Sequence, residues 1–327
     1  MAVADRVRRE SGATMTSKGV EARMNVSIKR ACAPVGALGL ALVFSACASK
    51  PADPADGANR SNGIADAEVR NVGDLGSIKL RDGLYEGPPY AAGGASRPRV
   101  LLLGHTERRG DLDGAPGDEI AVLLAASTGG SGEYIYLSVF GAANRSARNI
   151  ATTPIGDRVK MRDMAITNRT IVLDVLEAGP ADAMCCPTQL GRRTYQLDKG
   201  VLKQVSNDVN GALALAAIAG TEWRLIEIDG KPLPEGAKAP TFNVEAGRVS
   251  GFAGCNQYTG GIEETSPGSI SLGQQAVTMK ACTEPYASVE RDFLRRLSKV
   301  QSYTFLGGRL ALSWLDDDQR GILLFEK

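Results

Sequence analysis

Between Ile78 and about Val205, Gly, Pro and Asp divide the chain into short apolar segments, the pattern of strands joined by tight turns. The clearest are Val100–Leu103, Ile120–Ala126, Tyr134–Phe140, Thr170–Leu176, Thr194–Leu197 and Val201–Val205. The near-continuous apolar runs of Val100–Leu103 and Ile120–Leu124 predict strands buried on both faces. Tyr134, Tyr136 and Ser138 alternate with Ile135, Leu137 and Val139, which predicts one solvated face. A linker-like stretch over 207–219 contains Ala212–Ile218, enough for a short helix at a junction. Strands resume from Thr221, broken by one helix after Cys282. Thr283 and Glu284 are placed to cap that helix, and Pro285 suits its first turn. Tyr286, Val289, Phe293, Leu297 and Val300 share one face, with Arg291, Arg295 and Lys299 opposite. The expected fold is mainly β, with some α+β character: a β-rich domain over 75–206, then a second domain over 220–327.

Ahead of these strands the pattern changes twice. Lys29 and Arg30 precede the apolar run Ala31–Phe44, which at 14 residues is too short to cross about 30 Å of hydrocarbon and suits a signal-peptide core. The run ends in Phe44-Ser45-Ala46-Cys47, which resembles the lipobox of bacterial lipoproteins, with Phe44 where Leu is usual. The resemblance implies that 1–46 is a signal peptide, that Cys47 is acylated, and that the protein is held to the cell envelope by its lipid. Met24-Asn25-Val26-Ser27-Ile28-Lys29-Arg30 forms a compact basic start, so Met24 is the expected initiator. Ala48 and Ser49, with no Asp after the cysteine, favour the outer membrane, facing the periplasm. Residues 47–74 are rich in Ala, Asp, Gly, Asn, Pro and Ser and read as a flexible tether spanning roughly 30 Å.

Composition excludes more than it selects. Among 327 residues, 38 basic and 37 acidic side chains give +1; without residues 1–46 the balance is 38−7 = 31 against 37−3 = 34, or −3. Neither value makes a case for nucleic acid. The single histidine, His105, rules out a multi-histidine metal site, and its setting at a strand end reads as structural. No Gly-x-Ser-x-Gly elbow and no Ser/His/Asp set is apparent, so no catalytic residues are assigned.

The C-terminal third carries an ordered series: Trp223-Arg224-Leu225, Asp229-Gly230-Lys231-Pro232, Pro240-Thr241-Phe242, Gly251-Phe252-Ala253-Gly254-Cys255-Asn256, and Thr278-Met279-Lys280-Ala281-Cys282 before the helix. This resembles the META domain, a family that includes the heat-shock protein HslJ. The resemblance implies a curved antiparallel sheet or small barrel packed on one helix, a link to envelope stress and no established catalysis. Gly254, Cys255, Asn256, Met279 and Cys282 carry its motif. Asn256 reads first as a turn residue bonded to its own backbone.

Six cysteines reduce to four once Cys32 leaves with the signal and Cys47 is acylated. In an oxidising compartment a Cys255–Cys282 disulfide is expected within the META-like domain, contributing about 3–4 kcal/mol. Cys185 and Cys186 are left to each other, as a vicinal pair or as reduced thiols in a turn.

Asp111, Asp113, Asp118 and Glu119 crowd a glycine-rich loop that resembles the Asp-x-Asp-Gly loops of calcium-binding extracellular repeats. Ala115 stands where a further Asp would be, and the bland reading is a solvated turn. Thr128-Gly129-Gly130-Ser131-Gly132 reads as a hairpin connection. With the acidic loop and Met184–Gln189 it resembles an uncharacterised module preceding META-like domains in envelope lipoproteins. The resulting expectation is a non-enzymatic binding or scaffold protein, bound to the membrane by lipid and meeting envelope protein partners. The alternatives are a carboxylate-dependent hydrolase or Ca²⁺ module centred on 111–119, and a hollow barrel that takes an acyl chain.

Overall fold

Glu119–Ser127 is buried at eight of its nine positions, which requires apolar cover on both faces of its sheet. In the computed structural model, which describes residues 63–141, 147–183 and 186–327, that cover comes from two directions. The main strands of the first lobe are β1 (Arg99–Leu102), β2 (Glu119–Ser127), β3 (Tyr134–Gly141) and β4 (Arg148–Asp157), then β5 (Lys160–Thr167), β6 (Thr170–Glu177), β7 (Gln189–Asp198) and β8 (Val201–Ala212). β1 to β4 are neighbours in one antiparallel sheet, flanked by the short strand Leu84–Glu86. β5 to β8 form a second antiparallel sheet in chain order. Leu123, Leu137 and Val139 from the first sheet meet Ile171, Leu173, Val175 and Tyr195 from the second.

The other face of the first sheet is covered by a segment whose first part, up to residue 74, was expected to be tether. Ile64, Val69, Val72, Ile78 and Leu80 pack with Ile120, Val122, Leu124 and Phe140 in one buried cluster. Among the described residues packing therefore reaches back to Ile64, ahead of the expected start near residue 75. Isolated apolar residues in a polar stretch suffice because a ready-made apolar sheet face receives them. The same cover corrects the expected solvated face of Tyr134–Phe140: Tyr136 and Ser138 are buried, and of the three only Tyr134 is exposed. Asn149 anchors the contact, donating from Nδ2 to Ser138 Oγ (2.8 Å) and accepting from the backbone N–H of Arg70 (3.1 Å). β1 departs in the opposite sense, since Leu101 points to solvent at 48% exposure. β8 runs on to Ala212 through the expected junction, and the short helix there is one 3₁₀ turn, Leu215–Ala217.

The second lobe is a closed barrel of eight antiparallel strands: β9 (Trp223–Ile228), β10 (Thr241–Glu245), β11 (Arg248–Phe252), β12 (Gln257–Ser266), β13 (Ser269–Leu272), β14 (Val300–Leu306), β15 (Arg309–Asp316) and β16 (Gln319–Glu326). β16 returns to pair with β9, so no barrel edge is left open. Trp223, Phe242, Tyr258, Phe305 and Phe325 belong to one buried cluster. Eight strands enclose room for side chains or for one small ligand; here these aromatic side chains occupy the interior, which argues against a hollow barrel that takes an acyl chain. Helix α1 (Tyr286–Leu297) adds Val289, Phe293 and Leu297 to the buried set, and the Phe293 ring meets Tyr258 edge-on at 5.6 Å. Val300, expected on the helix, opens β14. The expected cap is also different: Pro285 is the N-cap residue, and Glu284 accepts from the backbone N–H of Ser288 (3.0 Å).

The lobes share contacts within one compact unit. Leu176 and Leu213 join the barrel cluster, the Arg162 guanidinium lies 5.3 Å over the Phe305 ring, and Lys327 Nζ bonds Asp163 Oδ2 at 2.9 Å.

Candidate functional site

Three regions carry the expected or observed polar chemistry. The first is the acidic loop between Arg108–Gly110 and β2. Ligand oxygens of Asp111, Asp113 and Glu119 lie within 4.8 Å of one another, while Asp118 is outside this group and exposed. The three carboxylates already hold the turn. Glu119 accepts from Leu112 N (2.8 Å), Asp111 from Gly114 N (2.6 Å) and Asp113 from Ala115 N (2.8 Å). A cation also reaches them from elsewhere in the chain, because Arg169 Nε sits 3.3 Å from Asp111 Oδ2. Its guanidinium lies so close to Gly114 that a Cβ there would meet it at 2.6 Å.

The second region is the motif around Asn256, which is 5% exposed. Its Oδ1 accepts from Thr278 Oγ1 (2.9 Å) and Lys280 N (2.7 Å). Its Nδ2 donates to Lys280 O (3.1 Å) and to Glu290 Oε1 (3.0 Å). The side chain therefore ties the segment before Cys282 to the helix, a wider task than bonding its own turn. Cys255 and Cys282 are disulfide-bonded with Cα atoms 6.3 Å apart, inside the range such a bond requires. Gly254 has φ 116°, and a Cβ there would press within 3.1 Å of Val289. Met279, between the two clamped residues Thr278 and Lys280, is 98% exposed.

The third region escaped sequence reasoning. A groove of about 720 Å³ crosses the outer face of β10, β11 and β12. Phe242, Val244, Val249 and Tyr258 point into the barrel, so the residues alternating with them face out. Register then builds rows across the strands. Asn243 pairs with Ser250, Ser250 with Thr259, and Thr259 with Ala276; Trp223 opposite Phe242 sets Glu222 beside Asn243. In the adjacent row Phe252 pairs with Gln257, whose backbone N–H donates to Thr278 Oγ1 (3.2 Å). The alternation of polar residues in Thr241-Phe242-Asn243-Val244 was readable as an outward face. The coincidence of three such faces depends on strand register, which a single sequence does not specify.

The remaining expected positions divide by placement. Cys47, Met184 and Cys185 lie outside the described residues. Cys186 is disulfide-bonded, and Cys185 is the partner expected for it. His105 follows β1 in a left-handed conformation, φ 62°, and burial, then Arg309, lowers its pKa. Burial raises that of Tyr258, whose hydroxyl donates to Thr241 O at 2.8 Å beneath the groove.

The META domain family model matches residues 216–327, and this C-terminal third of the chain is a META domain. No curated protein matches the chain. A solved structure described as the NMR structure of the protein from Burkholderia xenovorans is similar over 34% of this chain and 83% of its own, at 23% identity and a TM-score of 0.28.

Proposed function

We propose that this chain is a lipid-anchored envelope protein whose folded body is a non-catalytic binding module acting in outer-membrane homeostasis or stress tolerance. Four features support that reading: the lipobox-like Phe44-Ser45-Ala46-Cys47, the disulfide Cys255–Cys282 favoured by an oxidising compartment, the META domain, and the structural use of the polar residues that looked most chemical. Asn256 clamps a loop to a helix, and the acidic loop bonds its own backbone. The groove on the barrel carries the proposal, because there polar side chains stand in register on a rigid closed sheet. Rigid elements hold binding groups more accurately than loops do.

Capture from solubilised envelopes tests it, comparing the wild-type chain with Ser250→Arg and Thr259→Arg, which fill the groove from the middle. The wild type is expected to retain an envelope component that both variants lose while keeping their far-ultraviolet dichroism. Equal capture by all three would overturn the groove as the working surface.

A further inference from the structure

We infer that the groove binds a neutral saccharide; this deepens the proposed binding role and rests on it. The chemistry of the wall selects among ligand classes. Asn243, Ser250, Thr259 and Gln257 present amides and hydroxyls, each able both to donate and to accept. That dual capacity matches sugar hydroxyls, which do the same. Glu222 is the charged side chain of the lining, and the Arg248 guanidinium stands at its edge, donating to Thr259 Oγ1 at 3.0 Å; with one charge of each sign, the groove offers an anion such as a phosphate no net attraction. Apolar atoms supply most of the groove's accessible lining, which suits the C–H faces of a sugar, whereas an acyl chain would leave the polar rows without hydrogen bonds. Phe252 lies in the row beside them, half-buried, and supplies an aromatic surface for the C–H face of a sugar ring. The volume of about 720 Å³ falls within the range of small-ligand sites, about 300–1,000 Å³.

One atom separates this wall from an ordinary sheet surface. Asn243 Oδ1 is buried without a hydrogen-bond partner. Leaving such an acceptor unmet costs about 1–3 kcal/mol, and a side chain of Leu shape would remove that cost. As the side chain stands Oδ1 is closed off from the groove; rotation of the amide by half a turn exchanges its oxygen and nitrogen and brings the acceptor to a ligand. A residue kept at a cost to stability is expected where binding requires it.

Saturation-transfer NMR on the full chain in detergent tests the assignment, with the N-acetylglucosamine trimer and cellotriose as probes at about 5 mM, enough to populate a millimolar complex. The two probes separate recognition of acetamido sugars, as in cell-wall glycan, from recognition of plain hexoses. Transfer to the ring protons of at least one probe is expected. It should drop about five-fold or more in Phe252→Ala and in Asn243→Leu, the loss of roughly 1 kcal/mol or more in binding. The thermal midpoint of Asn243→Leu should equal or exceed that of the wild type, which a purely structural asparagine would not allow. Two results would overturn the saccharide: no transfer to either probe, or transfer that persists in both variants and in Thr259→Arg. If no sugar binds while groove-dependent capture persists, the ligand class alone is wrong; if capture fails too, the binding role falls with it.

Discussion

Asn256 and Glu290 join the Gly254-Cys255-Asn256 turn to the helix through two bonds, Asn256 Nδ2 to Glu290 Oε1 at 3.0 Å and Asn256 N to Glu290 Oε2 at 2.5 Å. The pair explains why an asparagine follows the cysteine. Its amide meets a carboxylate on one side and the Lys280 peptide on the other, a set that aspartate could not complete without placing two carboxylates together. Asn256→Asp is therefore expected to cost about 2–4 kcal/mol, since like charges meet and Lys280 O loses its donor. Urea unfolding should show a lower midpoint at unchanged slope.

The disulfide acts on the same corner. Removing it in the double variant Cys255→Ser, Cys282→Ser should lower stability by about 2–4 kcal/mol, chiefly by freeing the unfolded chain. Scanning calorimetry with and without reductant gives the comparison, and reductant should leave the double variant's second-lobe transition where it was.

The segment Ile64–Leu80 is part of the first lobe. Ile64 is fully buried, so Ile64→Ala should cost about 2–5 kcal/mol, as core truncations do. A residue in a solvated tether would show a change near zero in the same denaturant titration.

Protonation of His105 opposes folding. Its folded pKa lies below the ordinary value of about 6.5, so the unfolded chain binds more protons between the two values. Stability is full above about pH 6.5 and falls as pH drops through the folded pKa. Asp163 follows the same sign at lower pH. Burial works against its charge, but Lys327, the Met164 N–H and Arg108 outweigh burial and hold its carboxyl below the usual range. Its contribution is lost as pH falls below about 4. The thermal midpoint should thus decline in two stages, and His105→Gln should abolish the upper one only.

Calcium offers a check on the acidic loop. With Arg169 beside Asp111 and the carboxylates bonded to backbone, calcium at about 1 mM, the range of extracellular modules, should leave the melting temperature unchanged. Arg169→Ala removes the internal cation, and a calcium-induced rise in that variant alone would show that the arginine occupies the cation's place.

Local patterns foretold some elements and missed others for physical reasons. Ile120–Leu124 reads as buried on both faces and is, because continuous apolarity has no other use in a strand. Tyr134–Phe140 alternates and is nevertheless buried from Ile135 onward, since Ser138 finds Asn149 and Thr152 as partners and so tolerates enclosure. The strands Arg148–Asp157 and Lys160–Thr167 were not singled out, because Thr and Pro interrupt the apolar residues of the first and Lys160, Arg162 and Asp163 those of the second. The META series announced a curved sheet or small barrel with one helix, and the barrel is what forms; its closure by β16 onto β9 joins residues about a hundred positions apart, a distance only the resemblance, not local periodicity, could report. The acidic loop was legible as a cluster, but Arg169 comes from 58 residues away. The groove was illegible for the same reason, being made by register.

Occupancy of that groove in the living envelope is the most direct test. A thiol is introduced at Thr259→Cys within the groove and, separately, at Leu315→Cys on an exposed strand position of the same barrel. Maleimide labelling is then timed in intact cells and on the purified chain. Slower labelling in cells at position 259, with equal rates at 315, is the predicted result. Equal rates at both positions in both settings would contradict a barrel whose groove is its working surface.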